Sequence, residues 1–207
     1  MTALPDIPRL YTALAECLAV LLVTPALAPR FSKAVTGGIT LLWAAVLSAF
    51  LGLTGDVPGG LWIPCMATAI GFSYLYLWGV WSITLLEAGY HCARAFILAE
   101  LAASVEWQLH CALWPVRGPW EPLSLLLLAL VYGALFGGMS YLLHIRPQPA
   151  GHLEISGSAA LTAVMLALTA FAVSNLGFLP GSDINMSIFS IRTLVDFSGV
   201  LILTVQH

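Results

Sequence analysis

The sequence predicts an all-α membrane protein, a polytopic transmembrane helix bundle of about seven helices, on three observations. Of its 207 residues, 60% are hydrophobic and only 8% are charged, whereas a soluble domain carries about 25% charged residues. The apolar residues run in stretches of about 20, the length that a helix needs to cross a bilayer. Prolines and glycines, the strongest helix breakers, separate these stretches. A soluble fold of this length could not bury so much apolar surface, but a bilayer accommodates it.

The composition also argues against several classes of function. The formal net charge is −3 and the chain has no basic tract, so a nucleic-acid partner is not expected. No P-loop, H-E-x-x-H, catalytic-triad motif or dinucleotide fingerprint is present, so we expect no catalytic residue, cofactor or metal in this chain. The cysteines form no C-x-x-C pair and are expected to pack as small apolar residues: Cys17, Cys65, Cys92 and Cys111.

Breaker residues divide the chain into seven predicted helices that form one module, residues 1–207. Pro29 ends the first helix, and the glycine- and proline-rich turn 54–60 ends the second. The stretch 61–113 is too long for one span, so a turn must fall inside it, and the polar cluster 87–91 is its expected place. The predicted helices cover about 8–28, 34–53, 61–86, 91–113, 123–143, 159–178 and 188–207.

The positive-inside rule gives the expected orientation in the cell membrane. Seven crossings place the termini on opposite sides, and we expect the N-terminus outside and the C-terminus in the cytoplasm. This orientation leaves more basic residues inside than outside: Arg30, Lys33, Arg94 and Arg146 inside, against Arg9, Arg117 and Arg192 outside.

Ionisable residues within membrane helices are costly and are therefore candidates for function. Glu87, His91 and Arg94 are spaced four and three residues apart, so they would share one helix face. They form either a polar relay or signal-sensing cluster, or an interfacial turn with a local ion pair.

Three further acids fall in apolar surroundings. Glu100 has apolar residues on every side and is expected to face the bundle interior, where it pairs or stays protonated. Glu106 lies four residues before His110, but two ligands do not make a metal site. Glu16 has no partner within the first helix.

The last helix contains Arg192 and Asp196, four residues apart. They form either an intrahelical pair, or Asp196 docks on another helix and fixes the rotation of the last helix. In the fifth helix, Gly133 and Gly137 form a G-x-x-x-G motif, which permits close helix contact. We expect this motif to serve internal packing rather than dimerisation.

Two segments resemble the N-terminal membrane region of bacterial GHKL-type sensor histidine kinases. They are residues 92–113, reading CARAFILAELAASVEWQLHCAL, and residues 174–207, reading SNLGFLPGSDINMSIFSIRTLVDFSGVLILTVQH. In that family, which is related in plan to peptide-pheromone receptor kinases, a helical membrane module precedes a cytoplasmic signalling helix, a phospho-accepting histidine and an ATPase domain. The family's catalytic parts have no counterpart in this chain, and His207 is not expected to be the phospho-acceptor because it abuts a membrane helix.

The resemblance implies a membrane-embedded sensory input module of a two-component kinase, which relays a signal through its last helix to a cytoplasmic kinase domain or continuation of the chain. Its partners would be the lipid bilayer, that kinase and an extracellular peptide or small-molecule signal. A homodimer is compatible with this interpretation. Enzymatic activity is left open. The alternative is a small multi-pass transporter or membrane enzyme that uses Glu16, Glu100 and Glu106 as a proton or substrate path. A structural subunit of a membrane complex is a third interpretation.

Overall fold

The computed structural model describes residues 7–55, 57, 59–114, 118–145, 155–174 and 186–205. These residues form an all-helical bundle with no β-strand among them, which confirms the predicted fold class. A short 3-10 turn, Thr24–Ala26, continues the first helix. Over the described ranges the helices are α1 (Arg9–Val23), α2 (Lys33–Leu53), α3 (Gly59–Val80), α4 (Leu85–Leu113), α5 (Pro122–Ile145), α6 (Gly157–Ser174) and α7 (Met186–Val205).

The bundle is built around α4. Every residue of α4 from Tyr90 to Ser104 is buried, and α1, α3, α5, α6 and α7 all pack against it. Alanines such as Ala99, Ala102 and Ala103 are almost completely enclosed, because their small side chains allow neighbouring helices to approach closely. The remaining helix, α2, packs against α1 and α3.

Large apolar side chains on the outer helices point away from the bundle. Leu41 on α2, Leu130 on α5 and Leu194 on α7 are 74%, 63% and 65% exposed. Contiguous surfaces of this kind are solvated by lipid rather than by water. Among the described residues, four helical stretches are long and apolar enough to cross a membrane, which is the character of a multi-pass membrane protein: Arg9–Ala26, Lys33–Leu53, Ile63–Val80 and Pro122–His144.

The turn between the third and fourth helices lies earlier than predicted. The polar cluster 87–91 was expected to form it, but α3 ends at Val80 and α4 begins at Leu85. Thr84 caps α4: the backbone N–H of Glu87 donates to Thr84 Oγ1 (3.2 Å), and the Thr84 N–H donates to Glu87 Oε2 (2.6 Å). This reciprocal capping box satisfies two N–H groups that a helix start leaves unpaired. The cluster 87–91 therefore lies inside α4.

Arg30, in the connection between α1 and α2, holds this turn in place. Its Nε donates to the carbonyl of Trp81 (2.7 Å) and its Nη2 to the carbonyl of Ile83 (3.2 Å). The backbone N–H of Arg30 also donates to the carbonyl of Val80 (2.9 Å). The α1–α2 and α3–α4 connections therefore meet at one end of the bundle, here called the Arg30 end.

The opposite end joins the start of α1 to two other connections. A Cβ atom built on Gly55, after α2, would lie 3.3 Å from Cγ of Arg9. The hydroxyl of Tyr11 donates to the carbonyl of Pro119, between α4 and α5. We call this side the Tyr11 end. Because successive connections lie at opposite ends, α1 to α5 alternate in direction, as consecutive membrane crossings require.

The last helix runs antiparallel to α4. The side-chain amide of Gln108, late in α4, donates to the hydroxyl of Thr193, early in α7. Further along, a Cβ atom built on Gly199 would lie 3.1 Å from Cγ2 of Ile97, nearer the start of α4. Since α4 runs from the Arg30 end to the Tyr11 end, α7 runs back towards the Arg30 end.

The other predicted helix bounds differ only at their ends. The first helix was expected over 8–28, but α1 gives way to the 3-10 turn at Thr24. The third and fourth differ by the displaced turn, and the others begin one or two residues earlier than predicted. Several expectations fall outside the described residues: the last part of the predicted helix 159–178, residues 206–207 and the basic residues Arg117 and Arg146.

Candidate functional site

Two acids meet where α1 packs against α4. Glu16 is buried in α1, as are Tyr11, Ala15 and Ala19. Glu16 is 5% exposed and Glu100 on α4 is 4% exposed, so Glu100 faces the bundle interior as expected. The two carboxyl groups are close enough to interact electrostatically. Like charges repel strongly in an apolar interior, so each of these two acids raises the free energy of ionising the other.

Glu106 lies about 9 Å further along α4 at 1.5 Å per residue, beside two tyrosines. It is completely buried, and neither of its carboxyl oxygens has a hydrogen-bond partner among the described residues. It interacts electrostatically with Tyr11 of α1 and Tyr132 of α5. The Tyr132 hydroxyl donates to the backbone carbonyl of Tyr11 (2.9 Å) and also interacts with Glu100. Together, Glu16, Glu100, Glu106, Tyr11 and Tyr132 form what we call the polar stripe.

Aromatic rings pack against the polar stripe at the Tyr11 end. The Tyr11 ring meets Trp107 and Trp120 edge-on, with ring centres 6.3 and 5.4 Å apart. Trp107 in turn stacks on His110 at 4.7 Å. In the part of the chain that the structure describes, no three His, Cys, Asp or Glu side chains come together in a metal-binding group, so Glu106 and His110 gain no third ligand there.

Glu87, His91 and Arg94 are buried on α4 but have different surroundings. The Glu87 carboxylate is engaged in the capping box with Thr84. The guanidinium of Arg94 lies 5.4 Å from the centre of the Tyr90 ring, a cation–π distance. His91 contacts the same ring edge-on at 5.5 Å. Arg94 and His91 therefore share contact with the Tyr90 ring, and Glu87 takes part in the capping box.

Asp196 lies in the interface between α7 and α4. It is fully buried, and its position on α7 falls between Thr193 and Gly199, both of which face α4. This agrees with the interpretation in which Asp196 docks on another helix. The side chain of Arg192, the other member of the expected pair, lies outside the described residues.

The expectation for the G-x-x-x-G motif was wrong. Gly133 and Gly137 are exposed, and a Cβ atom built on either would meet nothing within 4 Å in the described chain. The reason is rotational: α5 turns Leu128, Tyr132 and Phe136 inward, and the glycines follow two of these residues by one position, about 100° around the helix. The motif therefore faces away from the helices that the structure describes and makes no packing contact with them.

The roles of Tyr11, Tyr132 and Arg30 in the polar stripe and in the α3–α4 turn were not predicted from the sequence. A tyrosine in an otherwise apolar helix needs a partner for its hydroxyl, which would have singled out Tyr132. The spacing Thr84-x-x-Glu87 is a capping-box signature and would have located the turn. Comparison of the chain with protein-family models, curated proteins and solved structures gave no match.

Proposed function

We propose that this chain is the membrane-embedded sensory input module of a two-component GHKL-type histidine kinase. It lies in the cell membrane with its N-terminus outside and passes a signal through α7 to a cytoplasmic kinase. The proposal rests first on the resemblance of residues 92–113 and 174–207 to such membrane regions.

The contact of α7 with α4 is the observation that favours this function. Signalling needs a helix arrangement with two states that a ligand can bias. α4 carries Glu100 and Glu106 of the polar stripe, and the same helix holds α7 through Gln108–Thr193 and Ile97–Gly199. Because α4 belongs to the polar stripe and also contacts α7, a structural change at the stripe would shift α7 through these contacts.

The test is a substitution of Asp196, the buried acid of α7. In the full-length kinase encoded by the reading frame that contains this chain, Asp196→Asn keeps the shape and removes the charge. We expect basal autophosphorylation to change by a factor of about five or more, because about 1 kcal/mol shifts a two-state equilibrium by that factor. Ser198→Ala, on the exposed face of α7, is the matched control and should leave autophosphorylation unchanged.

Both autophosphorylation and membrane abundance are measured for each variant. Unchanged autophosphorylation of Asp196→Asn at normal abundance would refute the role of α7, and a reading frame without a kinase would refute the whole proposal. The three buried acids Glu16, Glu100 and Glu106 favour the alternative, a small multi-pass transporter or membrane enzyme. Proton flux into liposomes that hold the chain, abolished by Glu100→Gln, would support that alternative instead.

A further inference from the structure

A cavity of about 380 Å³ lies between α3, α4 and α6. Its volume falls in the range of about 300–1,000 Å³ typical of sites for small ligands. It exists because small residues face it: Gly71 of α3 leaves open space where a Cβ atom would be, and Gly89 and Ala93 of α4 also line it. Phe96 and Phe171 form aromatic walls. The cavity is therefore shaped for an apolar chain.

A second, smaller cavity of about 10 Å³ adjoins it. Ile70, Cys92 and Phe96 line both cavities, so these three side chains form a wall that the two cavities share. The smaller cavity has room for about one water-sized group. Glu16 and Ser73 also line it, which gives this end of the space a polar character that the larger cavity lacks.

The polar atoms at this inner end lack partners. Glu16 and Ser73 are 5% and 4% exposed. The Oε1 atom of Glu16 and the Oγ atom of Ser73 are buried with no hydrogen-bond partner among the described residues. Buried polar atoms are normally satisfied, and an exception needs an explanation. A ligand group that donates hydrogen bonds would satisfy both atoms.

We propose that the two cavities bind a single-chain amphiphile with a primary ammonium head group, with the head beside Glu16 and Ser73 and the chain in the larger cavity. An ammonium group is compact and has three donors. Its positive charge also attracts the carboxyl group of Glu16 and favours the ionised form of that group. A carboxylate head group would be repelled. This binding site does not depend on the proposed signalling function.

The test measures binding of labelled dodecylamine to the chain in lipid nanodiscs, with dodecanol and dodecanoate as matched probes and empty nanodiscs as the background. We expect saturable binding of about one dodecylamine per chain, at least about tenfold tighter than either other probe, because a buried charge pair is worth at least that factor. Glu16→Gln should weaken dodecylamine binding at least about tenfold and leave the weaker dodecanol binding unchanged.

Two substitutions in α3 test the site without touching Glu16. Gly71→Leu fills the larger cavity and should weaken the binding of dodecylamine at least about tenfold. Gly79→Leu is the matched control, because Gly79 is exposed on the same helix, with nothing within 4 Å of a built Cβ atom, and does not line the cavity. It should bind like the wild type.

Three outcomes would overturn the proposal: no saturable binding above empty nanodiscs, equal affinity for the three probes, or unchanged dodecylamine binding in Gly71→Leu. Equal affinity would mean that the cavity holds lipid chains without selecting a head group. Kinase activity plays no part in this assay, so its failure leaves the signalling proposal standing. Loss of the signalling proposal would likewise leave this binding site standing.

Discussion

Glu87 and Glu106 both lie in α4, but their carboxyl groups differ in hydrogen bonding. The carboxylate of Glu87 accepts a backbone hydrogen bond and caps α4, whereas neither oxygen of Glu106 has a partner among the described residues. A buried acceptor without a partner costs free energy, and a partnered one contributes it. Burial by itself therefore does not say whether an acid stabilises this bundle.

The first prediction follows from this contrast. Glu106→Leu should raise the free energy of unfolding by about 1–3 kcal/mol, because it removes an unsatisfied buried group and loses no hydrogen bond. Glu87→Leu should lower it by about 1 kcal/mol, because it destroys the capping box. Thermal unfolding of the purified protein in detergent measures both, and the same sign of change for the two variants would contradict the argument.

At the level of single residues, the sequence predicts burial better than it predicts partners. The apolar neighbours of Glu100 are enough to predict that it faces the interior, and it does. The spacing of Glu87, His91 and Arg94 predicts a shared helix face, but not that Glu87 caps the helix and Arg94 lies over Tyr90. Partners depend on rotations about side-chain bonds and on neighbouring helices, which spacing along one helix does not contain.

Glycines on two helices have opposite roles in packing. Gly199 of α7 lies against α4, and a Cβ atom there would come within 3.1 Å of Ile97 Cγ2, which is tighter than ordinary contact. Gly133 of α5 faces open space within the described chain. Only the first of these is needed for the contact between helices.

The second prediction compares a leucine at each position. Gly199→Leu should destabilise the bundle by about 1–3 kcal/mol, because the larger side chain forces α7 away from α4. Gly133→Leu should leave stability unchanged or raise it by up to about 1 kcal/mol, because it removes a flexible glycine from a helix interior without a clash. Urea or thermal unfolding in detergent distinguishes them, and equal losses of stability would count against the packing described here.

The existence of the helices was predicted correctly, but the boundary between α3 and α4 was placed too late. Apolar stretches of about 20 residues identify the outer helices because the bilayer thickness sets that length. The local capping-box spacing Thr84-x-x-Glu87 marks the start of α4 and was overlooked. The hydrogen bonds from Arg30 to residues 81 and 83 come from more than fifty residues earlier in the chain, so the local sequence does not contain them. The apolar segment 81–86 looks helical by composition alone, and a tertiary contact overrides that preference.

At the level of the whole molecule, α4 differs from the other helices in composition. It carries Glu87, Arg94, Glu100 and Glu106, and it is neither among the four stretches apolar enough to cross a membrane nor among the two shorter apolar helices, which lie in α6 and α7. Five helices surround it, so its charged residues contact protein rather than lipid. The bundle thus uses an apolar outer layer to hold a polar helix at its centre.

The third prediction concerns orientation, which the packing constrains but does not assign to a side of the membrane. Arg30 and Lys33 lie at one end of the bundle, and α7 runs towards that end. From the positive-inside rule we predict that this end lies in the cytoplasm. Reporter fusions after Arg146, between α5 and α6, should therefore be cytoplasmic, and fusions after Asp183, between α6 and α7, should be outside.

Each outcome of the reporter experiment has a distinct meaning. The reverse pair of results would turn the whole bundle over without changing its packing, and would place α7 with its last turn outside the cell. Two reporters on the same side would mean that α6 does not cross the membrane.

Lys33→Glu together with Arg30→Gln provides a further check, since removing the positive charges of that end should weaken the orientation preference. Arg30→Gln also removes the guanidinium bonds to Trp81 and Ile83, so Lys33→Glu alone, on an exposed residue, separates loss of charge from loss of the turn.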